Sequence, residues 1–240
     1  MTRGYGQYCP LALAAELLTQ RWTILIVSRL IDGCTTFNAI HRGVPRISPS
    51  LLSQRLTELA GAGIVEKRPA QGGSGPSYQL TPAGEDLAPV IEQMAIWGQF
   101  WAREMTKEDL DPAFLAWSMH TRMNVDAMPS GRTTLEFEFT GAPREFRRFW
   151  LISESGKIDM CLKHPGFEAN LVVRSELRLF IETWRGFRDL RSELRSGNIR
   201  LDGPAPLRKQ FPDWLLLSSL APYRRKRPGR ERSLPTRPRG

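Results

Sequence analysis

The apolar positions of the first hundred residues recur mostly at helical spacing. Pro10 suits the first turn of a helix running to about residue 18, and residues 22–31 make a second apolar helix that stops at Gly33. A short helix over 37–42 carries Phe37 and Ile40 on one face, and a turn over 43–47 follows. Ser48 is a good N-cap, Pro49 is pre-set for the first helical position, and Leu52, Leu56 and Leu59 form a stripe that asks to be buried. The opposite face then holds Ser50, Ser53, Gln54 and Thr57, small polar groups where charged ones are commoner. The period changes to two over 64–68 and 77–80, two strands joined by the glycine-rich QGGSGP, a hairpin with a mobile tip. Thr81 and Pro82 start a last helix that passes a kink at Pro89 and reaches Trp97, Trp101 and Arg103. Three helices, a leucine-striped helix, a hairpin and a helix, in that order, are the order of a winged helix-turn-helix.

The second half alternates differently. After Asp111-Pro112 a helix over 114–125 contains Trp117, Met119 and Met123. A cleanly alternating strand over 134–139 follows, then a hairpin of 148–152 with 157–162, then a fourth strand over 169–173. Helices over 175–184, capped by Ser175, and over 190–196, ending at Gly197, precede a short strand over 199–201. This is an α+β layout. The expected organisation is therefore two domains: a mainly α winged helix-turn-helix over 1–104 and an α+β domain over 112–223, joined by a linker at 105–111 and followed by a disordered basic tail at 224–240.

Charge sharpens this picture once it is located. The chain of 240 residues carries a formal +9, but residues 224–240 hold eight Arg or Lys against one Glu. Residues 1–104 carry nine basic and eight acidic groups, a net of +1. Local placement, not bulk charge, must then argue for nucleic acid. Between residues 36 and 70 the cations are Arg42, Arg46, Arg55, Lys67 and Arg68. A helix in the major groove buries one side and offers the other to base edges, while its N-terminus favours phosphate. Ser48 and Ser50 lie at that end. Gln54 suits adenine, the hydroxyls of Ser50, Ser53 and Thr57 tolerate either base, and Arg55 flanks the face. Arg46 before the helix and Lys67 and Arg68 at the base of the hairpin are placed for phosphates. The Arg-rich tail can add non-specific phosphate contacts, touch an anionic membrane surface, or serve only solubility.

Other chemistry finds little support. Cys9, Cys34 and Cys161 are widely spaced, with no pair suited to a disulfide framework or a zinc site. His41, His120 and His164 lie far apart, His41 being placed to meet a phosphate or solvent, and no catalytic signature occurs. No enzyme activity, metal or cofactor is expected. The chain lacks a long apolar run, so a cytoplasmic protein without integral membrane association is expected.

Residues 9–103 resemble the HxlR-type winged-helix transcriptional regulators. The resemblance is carried by Cys9-Pro10-Leu11, Arg21-Trp22-Thr23, Phe37-Asn38, Ile47-Ser48-Pro49, Leu52-Ser53-Gln54-Arg55-Leu56, Gly63-Ile64-Val65 and Tyr78-Gln79-Leu80-Thr81 with Gly84. Thr36 stands where the family pattern usually has a basic residue. The resemblance implies a homodimer bound to an inverted-repeat operator in double-stranded DNA, commonly as a repressor, with the first and last helices of this domain forming the interface. Leu13, Leu17, Ile91, Met94 and Trp97 suit that interface or, equally, a buried monomer core. Cys9 matches a cysteine that senses oxidants in some relatives, and a small buried hydrophobe is the alternative. Residues 112–215 resemble sterol-carrier-protein-like domains, most closely in the closing Ser196-Gly197-Asn198-Ile199-Arg200-Leu201-Asp202-Gly203. That resemblance implies a tunnel for a hydrophobic small molecule or lipid, which Trp117, Met119, Met123, Trp150, Leu162, Phe180 and Trp184 could line. Plain core is the other reading of the same seven. The leading expectation is a one-component regulator with a hydrophobic effector; the alternative is a lipid-binding or interaction protein whose winged helix makes protein contacts only.

Overall fold

The computed structural model describes residues 4–69 and 75–227. The glycine-rich hairpin tip and most of the basic tail lie outside the described residues. The N-terminal unit runs α1 (Pro10–Leu18), α2 (Thr23–Ile31), α3 (Phe37–Gly43), α4 (Pro49–Gly61), β1 (Val65–Arg68), β2 (Ser77–Leu80), α5 (Pro82–Glu85) and α6 (Ala88–Trp101). Its core is Ile26, Val27 and Leu30 of α2, Ile40 of α3, the leucine stripe of α4 and Tyr78 of β2. β1 and β2 pair antiparallel with Val65 opposite Leu80, and Thr36 makes an isolated antiparallel bridge with Ser77. Pro89 does not kink a long helix as expected. The chain breaks after α5 and restarts, leaving Pro89 in the first turn of α6, where its missing N–H costs nothing.

The second unit runs α7 (Pro112–His120), β3 (Thr133–Thr140), β4 (Arg148–Glu154), β5 (Lys157–Cys161), β6 (Leu171–Glu176), α8 (Leu177–Trp184), α9 (Leu190–Arg195), β7 (Ile199–Asp202) and α10 (Ala205–Trp214). The strands form one mixed sheet in the order β5-β4-β3-β6-β7, with β3 and β6 parallel and the other pairs antiparallel. Phe137 and Phe139 of β3, Phe149 of β4 and Val173 of β6 pack with Phe180 of α8 and Phe211 and Trp214 of α10. Several expected boundaries move. The fourth strand extends through Ser175, so the cap of α8 is Glu176, whose carboxylate accepts from the N–H of Arg178 and Leu179 at 3.0 and 2.7 Å. α7 ends at His120, and Met123 bridges Leu215 instead of lying on the helix. α10 lies beyond the elements expected from the sequence; its first turn begins just past Pro204, and Pro212 falls in its last turn.

The two units touch along α3 and α7. The guanidinium of Arg29 on α2, 14% exposed, lies 4.2 Å over the buried Trp117 ring, a cation–π contact. From the other side, residues 218–227 form a strap back onto α6. Within it, the N–H groups of Lys226 and Arg227 donate to the Phe100 carbonyl at 3.0 and 2.9 Å, and Arg225 Nη2 donates to the Ala102 carbonyl at 3.0 Å. These cations sit at the negative end of a helix, where they are favoured. Residues 224–227, assigned to a disordered tail from their composition, are instead this attachment.

Candidate nucleic-acid interface

α4 is held as a helix by its own first residues. Ser48 is extended at φ −71°, ψ 147°, and its Oγ accepts from the N–H of Leu51 at 3.3 Å while Pro49 occupies the first turn. Leu52, Leu56 and Leu59 are fully buried against α2 and α3. That burial turns Ser50, Ser53, Gln54 and Thr57 to solvent, all four exposed. Three of the four side chains are bonded locally: Thr57 Oγ1 donates to the Ser53 carbonyl at 3.0 Å, Ser50 Oγ lies 3.2 Å from Ser48 Oγ, and Gln54 Nε2 donates to Glu58 Oε1 at 2.9 Å. The face is small, polar and free of bulk, so a flat groove floor can approach it.

The cations around this face divide into two sets. Arg55 is on α4 but its side chain is only 15% exposed, bonded to Gln20 Oε1, the Arg21 carbonyl and the Glu58 carboxylate. It ties α4 to the turn between α1 and α2. Burial alone would raise Glu58, yet the bonds from Arg55 and Gln54 outweigh it and hold Glu58 below the usual carboxylate value. Arg46 pairs with Asp111 at 2.9 Å and also donates to the Glu108 carbonyl, both in the segment joining the units. Arg68 pairs with its strand neighbour Glu66 at 3.0 Å. Lys67 and Arg42 are exposed with no ion pair among the described residues. His41 points inward, its Nε2 2.9 Å from the Ile47 carbonyl, where it braces the turn before α4 instead of meeting solvent.

The remaining expected residues are dispersed. Leu13, Met94 and Trp97 are exposed, which overturns the buried-core reading for them; Leu17 is half-buried and Ile91 packs on the N-terminal core. α1 has no buried residue at all, and Trp97 is 64% exposed on α6. Cys9 is exposed at the start of α1, against the buried alternative, while burial pushes the half-buried thiols of Cys34 and Cys161 up. Of the seven residues offered for a hydrophobic tunnel, Met119, Met123, Phe180 and Trp184 are packed into the core of the second unit, Trp117 and Trp150 are also buried, and Leu162 is exposed. None lines the large cleft of that unit. The aromatic rings fill the space between sheet and helices with one another, Phe137 and Phe149 stacking at 5.0 Å, so six of the seven are packed side chains here and Leu162 is not.

Sequence reasoning missed that cleft. It measures about 1660 Å³ and lies between α8, α9, the segment after α6 and the strap, lined by six arginines and three acids. It also missed Gln99, a fully buried amide on α6 that donates to the carbonyls of Arg185 and Leu220 and accepts twice from the Arg185 guanidinium, at 2.8 and 3.2 Å. A polar residue in an otherwise apolar stretch of helix was the available signal.

A leucine-striped helix with a bare polar face, braced by two helices and followed by a hairpin, defines a winged helix-turn-helix DNA-binding domain. Residues 17–106 match the family described as HxlR-like helix-turn-helix. The HTH-type transcriptional regulator YvaP of Bacillus subtilis is 32% identical over 116 residues, covering 46% of this chain and 96% of the relative. YodB of the same organism is 36% identical over 95 residues, covering 81% of its own length. The structure of its reduced form has 35% identity, covers 39% of this chain and 93% of that one, and gives a TM-score of 0.35. The chain belongs to the HxlR-like family of transcriptional regulators, with a second α+β unit beyond the region these relatives share. Among the described residues no single helix is long and apolar enough to cross a membrane.

Proposed function

We propose that this regulator binds an inverted-repeat operator as a homodimer, with α4 in the major groove and the hairpin over the adjacent backbone. The observation that carries the reading is the bare face of Ser50, Ser53, Gln54 and Thr57 above a fully buried leucine stripe. Gln54 reads a base edge by exchanging its bond to Glu58 for one to adenine, and the three hydroxyls allow close approach. Lys67 and Arg42 contact phosphate directly, Ser48 does so from the helix N-terminus, and Arg46 and Arg68 join after releasing Asp111 and Glu66. Arg55 serves the helix, not the DNA. The exposed apolar faces of α1 and α6, with Leu13, Met94 and Trp97, form the dimer interface together with Leu17 at its edge. Repression is the sign the family resemblance implies, and Cys9, exposed beside that interface, is where oxidation of a thiol would be felt. The second unit is read as sterol-carrier-protein-like on its closing segment, where α9 ends at Gly197 and β7 follows at once.

The test is fluorescence anisotropy of the full chain on the DNA upstream of its own gene and on a scrambled duplex. Gln54→Ala is expected to lose about 1–3 kcal/mol of preference between the two duplexes. Lys67→Ala should weaken both equally and reduce the salt slope by about 1. Equal binding of both duplexes, unaltered in both variants, would leave the winged helix as a protein-contact module and overturn the reading.

A further inference from the structure

We propose that the arginine-lined cleft of the second unit binds an organic anion, its carboxylate or phosphate held by Arg185 and Arg225 and its apolar body against Met105, Phe187 and Leu217. The cleft is built where the C-terminal end of α8, the start of α9, the residues just after α6 and the strap meet. Gly186 fixes how closely they approach. It has φ +77°, and a Cβ there would stand 2.5 Å from the Ala221 carbonyl oxygen of the strap.

Charge compensation decides which groups remain available. Arg188 is paired with Glu182 and Glu193, and Arg191 with Asp213. Asp189 is spent as the cap of α9 on the N–H of Ser192 at 2.8 Å. Of the other four, Arg178 donates to the Met105 carbonyl at 2.8 Å and Arg224 is exposed, which leaves the half-buried Arg185 and Arg225 facing one another. Among the described residues neither pairs with a carboxylate; Arg185 donates to the neutral amide oxygen of Gln99, and Arg225 to the carbonyls of Ala102 and Arg227. Burial and the nearby Arg225 both lower the Arg185 guanidinium, the response of a cation held beside another cation out of water. An anion between the two removes that repulsion, and planar guanidinium groups suit the two oxygens of a carboxylate or phosphate. The ring of Phe187, 4.6 Å from the Arg185 guanidinium, makes one wall of the site apolar. Leu217 is held in the left-handed region at φ +55°, with its carbonyl accepting from Arg122, a strained conformation that the surrounding fold must maintain.

Both anion-holding arginines are hydrogen-bonded to α6, Arg185 through Gln99 and Arg225 through the Ala102 carbonyl. The opposite face of α6 carries Met94 and Trp97. Occupancy of the cleft is thus transmitted to the helix that sets the dimer geometry; this consequence rests on the function proposed above, whereas anion binding does not.

Calorimetric titration of the full chain tests the site without DNA, using octanoate, octyl phosphate, octanol and inorganic phosphate as probes. Octanoate or octyl phosphate should bind once per chain, the tighter of the two naming the head group, and octanol should not bind. Arg225→Gln, on the surface strap, should weaken the bound anion at least about tenfold with unchanged circular dichroism. Arg185→Lys, which keeps the charge and loses the fork, should also weaken it. Octanol binding as well as octanoate, inorganic phosphate binding as well as octyl phosphate, or an unaffected Arg225→Gln would each overturn the proposal. A bound anion that leaves operator affinity unchanged would overturn the coupling through α6 and leave the site standing.

Discussion

Arg55 and Arg46 show how much of a residue's role is settled by what it is bonded to. Both are arginines next to the polar face of α4, and by position both could reach a phosphate. Arg55 is held inward by Gln20, the Arg21 carbonyl and Glu58, whereas Arg46 is 54% exposed and reaches only to Asp111 and Glu108. An exposed pair is worth about 0–1 kcal/mol; with Asp111 only 17% exposed this one lies toward the upper end of that range, and a phosphate can still take the place of Asp111. Asp111 also caps α7, its other oxygen accepting from Ala113 and Phe114 at 3.0 and 3.1 Å. Asp111→Asn keeps the cap and removes the charge. It should raise affinity for a scrambled duplex about two- to fivefold at low salt, with stability within about 1 kcal/mol of wild type; unchanged affinity would show that Arg46 does not reach the DNA. His120 is a second such case. Burial holds its imidazole below the ordinary 6.5 and Arg42 adds to this, while the Trp117 carbonyl and Asp159 oppose it. The folded chain therefore favours the neutral ring. Its contribution is complete above 6.5 and is lost as the pH falls from there through the lower folded value, because the unfolded chain takes up the proton first. Urea melts at about pH 7.5 and about pH 5.5 should show a larger loss for wild type than for His120→Gln.

At the scale of elements, α4 depends on its cap and the hairpin on its contact with α5. Ser48 relieves one of the unpaired N–H groups at the start of α4, and Ser48→Ala should cost about 0.5–2 kcal/mol. The same change should weaken specific and non-specific DNA binding together, as a frayed N-terminus disturbs position before it disturbs sequence reading; thermal melts and anisotropy on both duplexes check this. The hairpin packs against α5 at Gly84, where a Cβ would stand 2.3 Å from the Ile64 carbonyl oxygen. Only glycine allows that approach, which gives the Gly84 of the family pattern a physical reason. The strands of the second unit were legible from their alternation to within two or three residues. α10 was not, because a Pro204-Ala205-Pro206 start reads as a turn until its buried partners Phe211 and Trp214 are known.

At the scale of the whole molecule, two surfaces are left for other partners. Among the described residues nothing covers the apolar faces of α1 and α6, and exposure of Leu11 at 76% and Trp97 at 64% to solvent is costly. Trp97→Glu should convert a dimer to a monomer in sedimentation velocity, with a melting temperature close to wild type because the side chain touches no core. A dimer that survives would place the interface elsewhere. The arginine-lined cleft is the other surface, and it joins both units through the strap and Gln99.

The sequence by itself determined the winged helix-turn-helix, because burial of one face of each element repeats at a fixed period and the caps and turns around α4 are local. It also determined that Ser50, Ser53, Gln54 and Thr57 face outward, since the leucines on the same helix cannot. Only the tertiary structure decided which arginines are free, which aromatic residues are core, and where the second unit opens a cleft. Those outcomes depend on groups far apart in the chain: Arg46 with Asp111, Gln99 with Arg185, and residues 224–227 with the end of α6. No local pattern encodes such pairs, because a charged side chain reads the same whether its partner is a phosphate, a distant carboxylate or a helix end.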